Sequence, residues 1–309
     1  SHPGLCVSLC DIDIVVNMAA VTCLRERMDV APLKVFSFDV EQNGIPQLHT
    51  PTEATSTLDN GSHNGGEDDE RDECDEEEKF SFPDSELPEC ELTTICLRAS
   101  EHGREGVALH CFTYKQVYED KIREAVSDQA DIRKVVVHQG RGEKEMLHLF
   151  AKFMEKEQFD VDVGWNTLNF DWQAIHIRCR MHNVSLCRVG KVELWKEPEL
   201  RVNNSNTQSR GNTQIKMFEI PGMIHHDLLR IWREDHKERS YGLEAVSNTH
   251  LGQHKLPIEP NQITSWAKQA DPMGLTNVTI YCAQDTKLPE ALSKKYRKEA
   301  GSFRAMVRM

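Results

Sequence analysis

Five side chains in this chain combine residue types and spacings that suit metal-assisted hydrolysis: Asp39, Glu41, Asp171, Tyr281 and Asp285. Asp39 and Glu41 close the apolar run LKVFSFDVE (33–41), which reads as a buried strand. A separation of two residues puts both carboxylates on one face of it. Asp171 follows GWNTLNF, where the pattern passes from strand through loop to helix. Asp285 lies four residues after Tyr281 in a helical stretch, so those two share a helix face. Carboxylates are hard oxygen donors that suit Mg²⁺ or Mn²⁺. Three or four from separate elements can hold two such ions, the arrangement that activates a water and stabilises a leaving oxygen in phosphodiester cleavage. A tyrosine beside them can orient the water. Each piece alone is ordinary: a strand-end cap, a helix N-cap and a pair of surface neighbours use the same residues.

The elements around these residues are legible from periodicity. ELTTICLRA (91–99) and GVALHCFTY (106–114) read as a hairpin about the EHGREG turn, and VVVHQ (135–139) as a further strand. EKEMLHLFAKFMEKE (143–157) places Met146, Leu149, Phe150, Phe153 and Met154 on one helical stripe. FDVDVGW (159–165) reads as a strand and 170–183 as a helix. Residues 188–224 form a hairpin excursion whose loop is 203–213. Helices follow at 225–235, 241–252, 262–270 and 275–296, with Pro289 placed to kink the last. Strands with interleaved helices, then a helical half, predict an α/β fold with a mixed central sheet flanked by helices.

Net charge is −13 over 309 residues, and the run EDDERDECDEEEK (67–79) alone carries −8, leaving −5 on the other 296. No broad basic field advertises a nucleic-acid partner, and the balance does not exclude one. Residues 43–90 are rich in Asn, Gly, Ser, Thr, Pro and acids and read as a long, acidic, disordered insertion between two strands. Residues 1–30 read as an irregular lead-in or the tail of a preceding N-terminal domain, with DIDIVV (11–16) as one candidate strand. Residues 301–309 read as a C-terminal tail. Ten cysteines include no CxxC pair, which favours reduced, mostly buried thiols over a zinc site. No run reaches the roughly 18 apolar residues of a membrane span, and no signal peptide opens the chain. His225, His226 and Asp227 read as a polar cluster rather than a metal site, KKYRK (294–298) as a solvated helix end, and no phosphate-binding loop is present.

Taken in order, FSFDVE, GWNTLNFD and YCAQD resemble the three exonuclease motifs (D-x-E, N-x-x-x-F-D and Y-x-x-x-D) of the proofreading domain of B-family DNA polymerases, closest to the delta-like polymerases of eukaryotes and large DNA viruses. APLKVFSFDVE (31–41), EKEMLHLFAKFMEKEQFDVDVGWN (143–166) and RSYGLEAVSNTHLGQHK (239–255) are similar to the family's flanking segments, so the resemblance spans about 31–296. It implies a ribonuclease-H-like exonuclease domain over 31–300 that hydrolyses mispaired 3′-terminal nucleotides. It implies that Asp39, Glu41, Asp171 and Asp285 hold two Mg²⁺ or Mn²⁺ ions while Tyr281 helps position the water. Asn166 and Phe170 would contact the single-stranded 3′ end of DNA, and Lys255 would approach the scissile phosphate. Val40 and Trp165 stand where the family commonly has Ile and Tyr. Gly242 stands where it often has Ser or Thr, which removes a hydroxyl from a strand-contact position. The implied partners are the palm and N-terminal domains of a parent DNA-directed DNA polymerase, with no membrane. The implied location is the nucleus or a viral replication compartment, and this chain alone would not add nucleotides. A non-catalytic architectural domain and a free-standing exonuclease are the alternative readings.

Overall fold

Strict alternation along one strand organises the molecule. In β1 (Lys34–Gln42), Phe36, Phe38 and Val40 point to one side of the sheet, while Val35, Ser37, Asp39 and Glu41 point to the other. The computed structural model describes residues 32–46, 80–101, 104–194, 196–207 and 211–296, together with 17 and 19. The lead-in apart from residues 17 and 19, the candidate strand 11–16, the acidic run 67–79 and the tail 301–309 therefore lie outside the described residues. Of the insertion expected over 43–90, residues 47–79 lie outside them, whereas 43–46 and 80–90 are ordered, because backbone pairing and buried side-chain hydrogen bonds hold them in place.

After β1 come the short β2 (Ile45–Pro46) and β3 (Phe80–Ser81), which pair antiparallel with each other. β4 (Leu92–Glu101) and β5 (Val107–Thr113) form the expected antiparallel hairpin. Helix α1 (Glu119–Ala125), which periodicity did not reveal because it spans only two turns, leads to β6 (Ile132–Gln139). α2 (Glu143–Glu157) occupies the span read from its apolar stripe. β7 (Val161–Gly164) and α3 (Asp171–His182) follow. β8 (Leu200–Thr207) and β9 (Gly211–Phe218) make a separate two-stranded ladder. The strands run further into the polar stretch than expected: 203–207 and 211–213 belong to the ladder, because backbone pairing does not require apolar side chains. β10 (Ile224–Asp227) precedes α4 (Leu228–Asp235), so the helix expected from 225 starts three residues later. Its first residues pair with β7 instead. α5 (Leu243–Leu251), α6 (Pro260–Gln269) and α7 (Pro272–Tyr296) complete the order, and Pro289 lies inside α7.

The fold is mixed α/β with a six-stranded central sheet in the order β10-β7-β1-β4-β5-β6. β1, β4 and β5 run antiparallel in sequence, β7 and β10 lie parallel to β1 on one side, and β6 parallel to β5 on the other. One face carries α2 and α3 over Phe36, Phe38, Ile95, Leu97 and Phe112. The opposite face carries α7, which packs along β1 and β4 through Cys96, Cys282 and Leu292. Among the described residues no helix is long and apolar enough to cross a membrane.

Trp172 anchors the first face. Its ring is fully buried, 5.0 Å from Phe38 and stacked at 5.4 Å on Phe218, and its indole N–H donates to Asp162. Trp172→Ala is expected to cost about 3–5 kcal/mol, the usual range for emptying an aromatic core position. An unfolding free energy, measured by denaturant titration, that falls by less than a quarter of that would show that the core on this face does not depend on the ring.

Candidate active site

Carboxylates converge where the C-terminal end of β1 meets α3 and α7. Asp39 and Glu41, both half-buried, leave β1 on the α7 side, as their two-residue spacing requires. Asp171 is the first residue of α3 and only 2% exposed. It does not serve as a helix cap: Phe170 holds that position, and the Asp171 carboxylate accepts the Val40 N–H at 3.1 Å. That bond ties α3 to the strand segment between Asp39 and Glu41. Asp285, 3% exposed, comes from the middle of α7, whose register on the sheet is fixed on both sides of it. The Ser37 hydroxyl donates to Thr286 O at 2.7 Å, and the Cys282 thiol to Asp39 O at 3.2 Å. Further along, the buried Arg98 of β4 pairs with Glu290 of α7 at 2.8 Å and with Asp131 at 2.5 Å.

The electrostatics are those of crowded acids. Burial raises Asp39 to about 7, and the charge of Asp285 adds to this. Burial, then Asp39, pushes Glu41 well above its ordinary value, and the same two causes in the same order act on Asp171. Burial also raises Asp285, against the pull of Lys255. Lys255, through its positive charge, opposes this rise at Asp39, Glu41 and Asp285. Its Nζ pairs with Asp285 Oδ2 and reaches the Tyr281 hydroxyl at 3.2 Å. Burial lowers its pKa, but Asp285, Tyr281 and Asp39 together hold it above the usual lysine range. Tyr281 is pushed up by burial and by Asp285, so it stays a neutral phenol and cannot act as the base.

One oxygen of this group, Asp285 Oδ1, is buried without a hydrogen-bond partner. Buried charged oxygens left this way are costly, and a divalent cation is the partner whose chemistry fits. Asp39, Glu41 and Cys282 each offer a ligand atom, all within 4.8 Å of one another. A hard ion would take the carboxylates rather than the sulfur, since burial holds the Cys282 thiol protonated. Cys282 escaped the sequence reading because nothing in YCAQD distinguishes it from any other buried cysteine. The described cysteines are all free and, apart from the half-buried Cys187, buried.

Asn166 and Phe170 sit on the loop between β7 and α3. Asn166 has φ +65°, a left-handed conformation that asparagine tolerates better than most residues. The loop returns so closely that a Cβ on Gly164 would stand 2.1 Å from Thr167 Cγ2. Asp227, read from the sequence only as part of a polar cluster, holds this loop. Its carboxylate accepts the N–H groups of Asn166 at 2.9 Å, Leu168 at 3.3 Å and Leu229 at 3.1 Å, so one side chain caps α4 and fixes the Asn166 turn. His225 and His226 do not form a metal site with it. Both engage Asp162, His225 through Nδ1 at 2.8 Å and His226 through its backbone N–H at 3.1 Å. Sequence reasoning also missed Phe82. This ring is 74% exposed and lies 5.3 Å from the Phe170 ring. It follows the long insertion, where no periodicity could place it against Phe170.

The family model "DNA polymerase family B, exonuclease domain" matches residues 72–246. That span includes Asn166, Phe170 and Asp171 but not the acids on β1 and α7. The chain is 30% identical over 162 residues to the DNA polymerase delta catalytic subunit of Schizosaccharomyces pombe, covering 52% of this chain and 14% of that protein. It is 32% identical over 155 residues to that of Caenorhabditis elegans, covering 50% and 14%. The match to the Dictyostelium discoideum delta subunit, at 24% identity over 293 residues, covers 94% of this chain and 22% of the relative. The chain thus spans less than a quarter of the length of these relatives.

A carboxyl whose folded pKa exceeds its unfolded value stabilises the fold while both states are protonated and loses that contribution as pH rises. For Asp39 the loss runs from about pH 4 to about pH 7. Asp39→Asn is therefore expected to raise the metal-free melting temperature at pH 8 and to abolish the further rise on adding Mn²⁺. Thermal melts with and without Mn²⁺ measure both. An unchanged Mn²⁺ response in Asp39→Asn would remove Asp39 from the ligand set.

Proposed function

The chain belongs to the DNA polymerase family B exonuclease domain, and from that premise we propose that Asp39, Glu41, Asp171 and Asp285 hold two Mg²⁺ or Mn²⁺ ions for stepwise hydrolysis of DNA from its single-stranded 3′ end. The observation that carries this reading is the convergence of the four acids, with Asp285 Oδ1 buried and unpartnered. Divalent ions bound there would supply an acidified water and neutralise charge building on the phosphate. The remaining work falls to the chain. Tyr281, neutral and one turn before Asp285, orients the water through its hydroxyl. Lys255, held against Asp285 and Tyr281, places positive charge where the scissile phosphate would gain negative charge. Asn166, on its pinned turn, offers an amide to the strand. Phe170 and the exposed Phe82 form an aromatic platform on which the terminal bases stack.

The ladder β5-β4-β1-β7-β10, three antiparallel strands followed by two parallel to the first, supports a ribonuclease-H-like assignment. The length of the relatives supports a role as one module of a larger polymerase, with palm and N-terminal domains as neighbours and the nucleus or a viral replication compartment as its location. Retention of all four acids and Tyr281 speaks against a purely architectural domain.

The test is digestion of a 5′-labelled single strand with Mn²⁺. Stepwise shortening from the 3′ end that stops with EDTA is the expected result. Asp171→Ala should lower the rate by more than about 10³-fold, the scale seen when one member of a cooperating catalytic set is lost. Full activity in that variant would sink the site assignment. Tyr281→Phe should lower kcat by about 10- to 100-fold, the penalty for a misplaced reactant, with KM little changed.

A further inference from the structure

The segment from Phe82 to Glu91 is a strap without regular hydrogen bonding to the sheet, yet it is gripped from two sides. On one side stands Arg178 of α3, 1% exposed and seven residues beyond Asp171 on the same helix face. Its guanidinium donates through Nη1 to Leu87 O at 2.7 Å and Ser85 O at 3.4 Å, and through Nη2 to Pro88 O at 3.4 Å. Glu143 of α2 neutralises it through a two-pronged pair, with Nε to Oε1 at 2.8 Å, and also accepts the Leu92 N–H at 2.8 Å where the strap enters β4. His182 approaches the same carboxylate at 2.7 Å. On the other side stands Gln42, next in sequence to Glu41. It accepts the Ser85 hydroxyl at 3.0 Å and donates to Cys90 O.

Replacing a buried ion pair of this kind by well-packed apolar side chains often costs no stability. What an apolar residue cannot do is satisfy three carbonyls of an irregular segment, and only a planar fork with five donors reaches all of them. We infer that Arg178 is a positioning residue for the DNA strand: with Gln42 it fixes the strap so that Phe82 stands against Phe170 beside the carboxylates. The strap thereby couples the strand-binding ring to the two elements that carry Glu41 and Asp171. This inference rests on the aromatic-platform reading of Phe82 and Phe170.

The test compares two substrates with Mn²⁺: a 5′-labelled single-stranded oligonucleotide, and the p-nitrophenyl ester of a single deoxynucleoside 5′-phosphate, which has no second base to stack. Arg178→Lys is expected to raise KM for the oligonucleotide by about tenfold, the scale of one lost base stack, with kcat within about twofold and kcat for the ester unchanged. Phe82→Ala, which removes the ring itself, is expected to raise the oligonucleotide KM by at least as much. The double variant should be no worse than Phe82→Ala alone, because both remove the same contact. Arg178→Lys with a lowered melting temperature but unchanged KM would overturn the inference. So would additive effects in the double variant, or a parallel fall in kcat for the ester in Arg178→Lys. Should Arg178→Lys not fold, Gln42→Leu releases the strap from the β1 side, leaves the Arg178–Glu143 pair in place, and is read by the same criteria. If Phe82→Ala itself leaves KM unchanged, the platform reading fails; if it raises KM and the strap variants do not, only the positioning role fails.

Discussion

The structure is organised around a repulsion. Four carboxylates are brought to the end of one strand, where burial raises all of them, the charge of a neighbouring acid of the group adds to this for Asp39, Glu41 and Asp171, and Lys255 offsets only part of the cost at Asp39, Glu41 and Asp285. A chain free to relax would move these groups into water. Here they stay because each is carried by an element whose position is set elsewhere. β1 is the central strand of the sheet, α7 is locked in register by Ser37, Cys282 and Arg98, and α3 is tied to β1 through Val40. A divalent cation bound among the carboxylates would relieve that repulsion, since metal binding couples ligand charge to folding.

The surrounding polar network serves the same end. Asp227 settles three backbone N–H groups at once and thereby fixes the turn that presents Asn166. Asp162 is buried and receives Trp172, His225 and His226, so β7, β10 and α3 share one buried carboxyl group. Glu143 and Arg178 do the equivalent on the far side of α3. In each case buried polar side chains join several elements, and their hydrogen-bonding groups meet partners. The crowded acids contrast with them, for there an oxygen is left over.

Much of the fold was legible from periodicity. α2 was bounded correctly because Met146, Phe150 and Met154 repeat at helical spacing against a polar remainder. The β4–β5 hairpin was legible because two β-branched and apolar runs flank a polar turn. α1 and β10 were not, since two helical turns or four residues give too few repeats to define a period. The hairpin β8–β9 was seen as an excursion with too long a loop, because its polar strands carry no pattern that marks them as strands.

For the site, the sequence by itself determined the chemistry: which residues are carboxylates, that Asp39 and Glu41 share a strand face, that Tyr281 and Asp285 share a helix face, and which family uses that order. Local geometry fixes those relations, since period two and period 3.6 hold wherever the element sits. Only the tertiary structure decided that β1, α3 and α7 meet at one point, that Lys255 reaches Asp285, that Asp227 fastens the Asn166 turn, and that Phe82 stands against Phe170 across a long insertion. Those are contacts between residues far apart in the chain, fixed by how faces pack and by which buried groups must find partners, and no spacing along the sequence encodes them.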